Sequence, residues 1–281
     1  MNGKLRLAKF LSQQSKKLTK IGVFDSGLGG LSVLNEALLQ APGHDYLYLA
    51  DSANAPYGEK SSQWLELRSL AMCQWLAQQG CEAIVVACNT ATASAIASIR
   101  EALPDIALIG VEPGIKPAAI VSSKKIVGVL ATENTLKSDK FRALLATLPS
   151  DYTFIQQAGI GLVPLIEEGH ANTSEMDALL MTYLNPMLKA GADTLVLGCT
   201  HYPFLINQIK KLSLGQLNIV DTSEAIVRQM RRLVADSTDS DIGQISFLST
   251  ANGDELLKHA QQLMTYDFKK HPIHAQTVTI C

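Results

Sequence analysis

Of the five cysteines in this 281-residue chain, two stand where a thiol can do more than pack. Cys88 ends the apolar run Ile84-Val85-Val86-Ala87 and is followed by Asn89-Thr90. Cys199 ends Leu195-Val196-Leu197-Gly198 and is followed by Thr200-His201. Each pattern predicts a strand whose carboxyl end meets the start of a helix. A helix N-terminus stabilises a thiolate and draws a thiol pKa from about 8.5 towards neutrality. Two alike thiols in matched positions suit the inversion of a stereocentre by proton transfer, which needs a base on one face and an acid on the other. Their roles swap with the hand of the substrate, so the two groups should be of one kind. The remaining cysteines read differently. Cys73 and Cys81, in or near a helical region over 62–79, read as small buried hydrophobes, and Cys281 is terminal. An odd, sparse set is no disulfide framework, so a reducing cytoplasm is expected.

The elements that position these thiols follow from the hydrophobic pattern. Short β-branched runs predict strands at Ile21–Phe24, Tyr46–Leu49, Ala83–Ala87, Ala107–Val111, Ile126–Leu130, Thr194–Leu197 and Ile219–Val220. Between them lie helical stretches, among them Leu31–Leu39, Ser62–Gln79, Ala91–Leu103 and Ser174–Ala190. Apolar strands alternating with helices mean parallel sheets covered on both faces, an α/β fold. The chain also repeats itself faintly. Lys20-Ile21-Gly22-Val23-Phe24 resembles Lys125-Ile126-Val127-Gly128-Val129, and the two cysteines fall in register behind those segments. The reading is an ancient duplication giving two pseudo-symmetric α/β lobes with the active site at their interface, where strand carboxyl ends and helix N-termini converge. The expected division is a basic extension over 1–19, a first lobe over 20–116 completed by 225–281, and a second lobe over 117–224.

Composition narrows the class. A formal net charge of −2 lacks the cationic excess that neutralising phosphates requires, so no nucleic-acid partner is expected. No run of eighteen apolar residues appears, so none spans a membrane. The leader carries Lys4, Arg6, Lys9, Lys16, Lys17 and Lys20 without an acid, and lacks the apolar stretch of a secretory signal.

Four blocks carry a family resemblance. They are Phe24-Asp25-Ser26-Gly27-Leu28-Gly29-Gly30-Leu31-Ser32-Val33, Pro56-Tyr57-Gly58-Glu59-Lys60-Ser61, Ala87-Cys88-Asn89-Thr90-Ala91 and Gly198-Cys199-Thr200-His201-Tyr202-Pro203. In type and order they resemble the signature blocks of glutamate racemases, over roughly residues 20–235. The resemblance implies that Cys88 and Cys199 are the catalytic acid/bases, assisted by Asp25 and His201. It implies substrate contacts from Asp25, Ser26, Tyr57, Gly58, Asn89, Thr90, Thr132, Thr135, Thr200 and His201. It further implies glutamate as substrate, no cofactor and no metal, and D-glutamate for peptidoglycan synthesis. A homodimer stays open, as does a cell-wall-precursor activator, towards which the basic leader is one candidate contact and a plain tail the other.

Chemistry agrees with these assignments. Asp25 can take the substrate ammonium, while hydroxyls and backbone N–H groups at helix starts take carboxylates. Asp25 also reads as a turn or N-cap acid, and His201 as a packing histidine. The sequence departs from the family at Ala158-Gly159-Ile160-Gly161-Leu162, where many members carry a Cys-Pro pair. That altered neighbourhood leaves Glu167, which matches an assisting glutamate in some members, readable as an exposed helix-end acid. Three readings compete. Aspartate or another acidic amino acid could be the substrate, and a non-catalytic amino-acid sensor could keep the cleft. A dinucleotide-binding oxidoreductase could use Gly27-Leu28-Gly29-Gly30 with Asp51, although the fingerprint wants glycine at Ser32.

Overall fold

The computed structural model describes residues 18–234 and 242–280. The basic extension expected over 1–19 therefore lies almost wholly outside the described residues, as does Cys281.

Two parallel sheets organise the chain. The first has the order β10-β9-β2-β1-β3-β4 and the second the order β6-β5-β7-β8. The strands are β1 (Lys20–Asp25), β2 (Asp45–Ala50), β3 (Ala83–Val86), β4 (Ala107–Gly110), β5 (Ile126–Ala131), β6 (Thr153–Ala158), β7 (Thr194–Gly198), β8 (Asn218–Val220), β9 (Ile245–Ser249) and β10 (Ile273–Thr277). Seven coincide with the runs read from the sequence. The order β2-β1-β3-β4 recurs as β6-β5-β7-β8, so each central strand has a counterpart and the internal repeat is a repeat of architecture. Strands β9 and β10, from the C-terminal stretch, extend the first sheet beyond β2.

Helices cover both faces of the first sheet. One face packs Ile21, Val23, Tyr46 and Tyr48 against the Leu31–Gln40 and Ser223–Leu233 helices. The other packs Phe24, Leu49, Ile84 and Val86 against the Ser62–Gln78 and Asn89–Ala102 helices. Side chains alternate across a strand, so β1 and β3 must be apolar on both sides. Cys73 and Cys81 lie in this second layer, as expected. Burial pushes the Cys81 thiol up to about 12.

Two buried carboxylates fix connections that the sheets alone do not. Asp51 accepts two bonds of 2.8 Å from Arg68 Nε and Nη2, and others from Tyr57 Oη at 2.6 Å and Thr250 Oγ1 at 2.9 Å. Asp193 accepts from Ser122 Oγ, Ser123 N and Lys124 N at 2.5, 2.8 and 2.8 Å, tying the segment before β5 to the start of β7. Burial alone would raise both pKa values, but these donors hold each below the usual carboxylate range. A carboxyl with a lowered folded pKa contributes stability that is present above its unfolded pKa and lost as pH falls through the folded one. Unfolding free energy should therefore decline on acidification below the ordinary carboxylate range, and Asp193→Asn should flatten that decline. Urea unfolding at stepped pH measures this, and an unchanged acid slope in the variant contradicts it.

Candidate active site

The carboxyl ends of β1 and β3 face those of β5 and β7 across a cavity of about 280 Å3. From the first half come Ser26, Tyr57, Gly58, Cys88, Asn89 and Thr90; from the second come Thr132, Cys199, Thr200 and His201. The departing segment supplies one wall, through Gly159, Ile160 and Gly161. Thr90 Oγ1 and Thr132 Oγ1 meet at 2.9 Å, and Asn134 Nδ2 donates to Lys60 O at 2.9 Å, so polar contacts join the halves around the cavity.

Two residues expected at the substrate lie behind the wall. Asp25 is fully buried beneath it, accepting from Gly27 N at 2.9 Å and Thr200 Oγ1 at 3.1 Å. Burial raises its pKa, against the charge of His201 and the Gly27 N–H. Thr135 stands behind Thr132, 2.8 Å from its hydroxyl. Tyr57 lines the cavity with its ring, since its hydroxyl is committed to Asp51. The Asn89 side-chain amide, in the cavity wall, finds no acceptor within the protein. A buried donor without a partner is costly unless a ligand supplies one.

The two thiols sit in unlike surroundings. Cys88 caps the Asn89–Ala102 helix, as the sequence predicts, with Ser26 Oγ 3.8 Å from its sulfur. Yet the expected drop in its pKa is not found. Burial pushes the thiol up to about 12, the charge of Asp25 adds to that, and the Ala91 N–H at the helix start opposes it only weakly. Desolvation outweighs the N–H and hydroxyl groups that face this sulfur. Behind Cys199 the chain makes a short 3-10 turn, Tyr202–Leu205, before the Ile206–Leu212 helix, so no long helix points at this sulfur.

His201 stands in place of that helix. Its Nδ1 lies 3.7 Å from Cys199 Sγ and its Nε2 lies 2.5 Å from Glu167 Oε1. The Leu28 N–H donates to the same carboxylate oxygen at 2.7 Å. Burial alone would lower the His201 pKa, but Cys199 and Glu167 at its two nitrogens raise it well above the usual value. Glu167 is held below the carboxylate range by His201 and Leu28 in spite of burial. It is therefore not the free helix-end acid that the sequence allows, but the acceptor that orients a cationic histidine beside Cys199. Its separation of 34 residues from His201 hides this pairing from a linear reading.

The glycine-rich loop serves the same contact. A Cβ on Gly27 would lie 2.1 Å from Glu167 Oε1, and one on Gly29 would lie 2.4 Å from both His201 Nδ1 and Thr200 Oγ1. The loop is pressed against this cluster, and its Leu28 N–H already binds a carboxylate, so the dinucleotide reading fails on geometry. Among the described residues, no group of three His, Cys, Asp or Glu side chains could hold a metal ion. No described helix is long and apolar enough to cross a membrane.

Two cysteines, Cys88 and Cys199, thus line one cavity, each behind the equivalent strand of a repeated unit. The profile of the Asp/Glu/Hydantoin racemase family matches residues 25–230. The chain belongs to the glutamate racemases, isomerases within that family. A glutamate racemase of Cupriavidus pinatubonensis is 50% identical over 264 residues, 92% of this chain and 95% of its own. The glutamate racemase isoform of Bacillus anthracis superposes with a TM-score of 0.82 at 30% identity, covering 94% of this chain and 98% of its own. The Escherichia coli glutamate racemase, in complex with L-glutamate and the activator UDP-MurNAc-Ala, superposes at 0.80 with 29% identity, over 94% and 99% of the two chains.

Proposed function

We propose that this glutamate racemase interconverts L- and D-glutamate without a cofactor, with Cys88 and Cys199 as the two acid/bases on opposite faces of the α-carbon. The observation that carries this reading is their placement at the ends of β3 and β7, equivalent strands of the repeated order, in the wall of one cavity. Cys88, held as a thiol, is the ready acid, and the His201 cation faces the sulfur of Cys199, where negative charge is needed. Asp25 acts from beneath by ordering Gly27 and Thr200, and Glu167 by orienting His201.

The substrate contacts come from Ser26, Tyr57, Gly58, Asn89, Thr90, Thr132, Thr200 and His201, with Thr135 and Asp25 supporting them. The unpartnered Asn89 amide and the backbone N–H groups opening the following helix receive a carboxylate. Donors fixed before the reaction stabilise the carbanionic intermediate, which is the largest electrostatic demand of the step. A site of this kind in the cytoplasm supplies D-glutamate to peptidoglycan synthesis. The activator in the Escherichia coli relative makes a cell-wall precursor the effector to test first, and the homodimer is part of the same proposal. Aspartate is the competing substrate.

Optical rotation tests the reading. L-glutamate incubated with purified protein, without added cofactor, should lose its rotation to zero, and L-aspartate should keep it. A flat trace with glutamate removes the proposal, and a decaying trace with aspartate alone transfers it to that substrate.

A further inference from the structure

A two-thiol reaction leaves the protein changed after each turnover. The sulfur that took the α-proton ends as a thiol, and the sulfur that gave one ends as a thiolate. A second turnover in the same direction requires one proton to leave the first and another to reach the second. No net proton is consumed, so this reset is an exchange with solvent. Both sulfurs are nearly sealed, Cys88 at 5% and Cys199 at 6% exposure, and what opens of them faces the substrate cavity. A reset through that cavity waits until the amino acid has left.

A second cavity, of about 170 Å3, lies against Glu167 and is walled by Leu28, Ser52, Asn252, Glu255 and His259. It has room for several waters and polar groups to hold them. Glu167 lines this cavity and not the substrate cavity. Its side chain is 22% exposed, whereas His201 is 3% exposed. A continuous chain of contacts thus runs from Cys199 Sγ to His201 Nδ1 at 3.7 Å, from His201 Nε2 to Glu167 Oε1 at 2.5 Å, and then into the second cavity. Glu255 and His259, one turn apart on the Gly253–Leu263 helix, are the further ionisable groups of its wall. His259 is close enough to favour the ionised form of Glu167.

We propose that this second cavity is the proton port of Cys199, through which that thiol exchanges with solvent by way of His201 and Glu167 without crossing the substrate cavity. The port rests on the two-thiol reading above. In the outward step the Cys199 S–H proton passes to Nδ1 of a neutral His201, which forms the thiolate and imidazolium pair, and the imidazolium then gives its Nε2 proton to Glu167 Oε1. Glu167 then releases that proton to water in the port. One proton has left, and a thiolate, a neutral imidazole and a carboxylate remain. Uptake is the reverse, and no electrons change hands. His259 is a positioning residue in this scheme, holding the port's water and the charge of Glu167.

Two substitutions on the port wall, away from the substrate cavity, test it: Ala251→Trp, which fills the cavity, and His259→Leu, which strips its polarity. Reset follows product release, so it enters kcat but not kcat/KM. In the L-to-D direction each variant should lose about fivefold in kcat while kcat/KM stays within about twofold of wild type. Wild-type kcat in both variants overturns the port. So does a parallel fall in kcat and kcat/KM, which would show displacement of Glu167 rather than slow reset. A wild-type protein that turns over no glutamate overturns the two-thiol reading itself, a result distinct from either.

Discussion

Cys88→Ala and Cys199→Ala are each expected to lower kcat for racemisation by about three orders of magnitude, the scale of a lost acid/base in proton transfer. The sharper expectation concerns what each variant keeps. The remaining thiol still faces one side of the α-carbon, so it can still remove and return the proton of one enantiomer. In D2O, proton NMR should show wild type exchanging the α-proton of both L- and D-glutamate. Each variant should exchange one enantiomer only, and the two variants should choose opposite ones. The placement of the thiols behind β3 and β7 on opposite halves is the structural reason. Two variants that exchange the same enantiomer would refute the opposed geometry. A variant that still racemises would remove its cysteine from the mechanism. Cys73 offers a contrast: it is fully buried in the core, so Cys73→Ala should disturb packing and leave exchange of both enantiomers in place.

What the sequence makes legible follows burial. Strands enclosed on both faces, such as β1, β3, β5 and β7, must be apolar throughout, and each is plain in the sequence. Strands β6, β9 and β10 were not identified there. Thr153-Phe154-Ile155-Gln156-Gln157-Ala158 and Ile273-His274-Ala275-Gln276-Thr277 form sheet edges with half-exposed side chains, and their polar residues break the apolar run. Strand β9 is buried but interrupted by Ser246, which lies towards a groove beside Gln244 and Gln276. The candidate site was legible for a different reason. Cys88, Asn89, Thr90, Cys199, Thr200 and His201 are contiguous triplets at strand ends, so topology alone carries them into one cavity. Contacts that depend on tertiary approach were hidden, above all Glu167 on His201 and Asp25 lying beneath the wall rather than in it. The Cys88 thiol shows the same limit. Its local signal, a helix start, is visible in sequence, whereas the burial that overrides it belongs to the assembled fold.

Gly29→Ala is expected to lower kcat/KM by about a hundredfold while costing about 1–3 kcal/mol of stability, the usual range for overpacking a buried cluster, and the reasoning needs only one methyl group. Gly29 does not adopt a left-handed φ, so its backbone suits alanine, and space alone demands glycine there. The new Cβ would stand 2.4 Å from His201 Nδ1 and 2.4 Å from Thr200 Oγ1. Ordinary van der Waals separation is about 3.5–4.0 Å, so one partner must yield by roughly 1 Å. The loop has little freedom to do so, because Leu28 N is bonded to Glu167 and Ser32 Oγ donates to Thr200 O at 3.0 Å. His201 is therefore the group that moves, away from Cys199 and against the Glu167 carboxylate that orients it. A displacement of about 1 Å at a catalytic group costs on the order of a hundredfold in rate. The side chain of Thr200 shifts with it and loosens its bond to Asp25, so both halves of the site feel one substitution. Activity and thermal unfolding measured on the same preparation separate the outcomes. A hundredfold loss of activity with the protein still folded and its Tm lowered by only about a few degrees supports the geometry. Wild-type kcat/KM would show that Cys199 does not need His201 where the fold holds it.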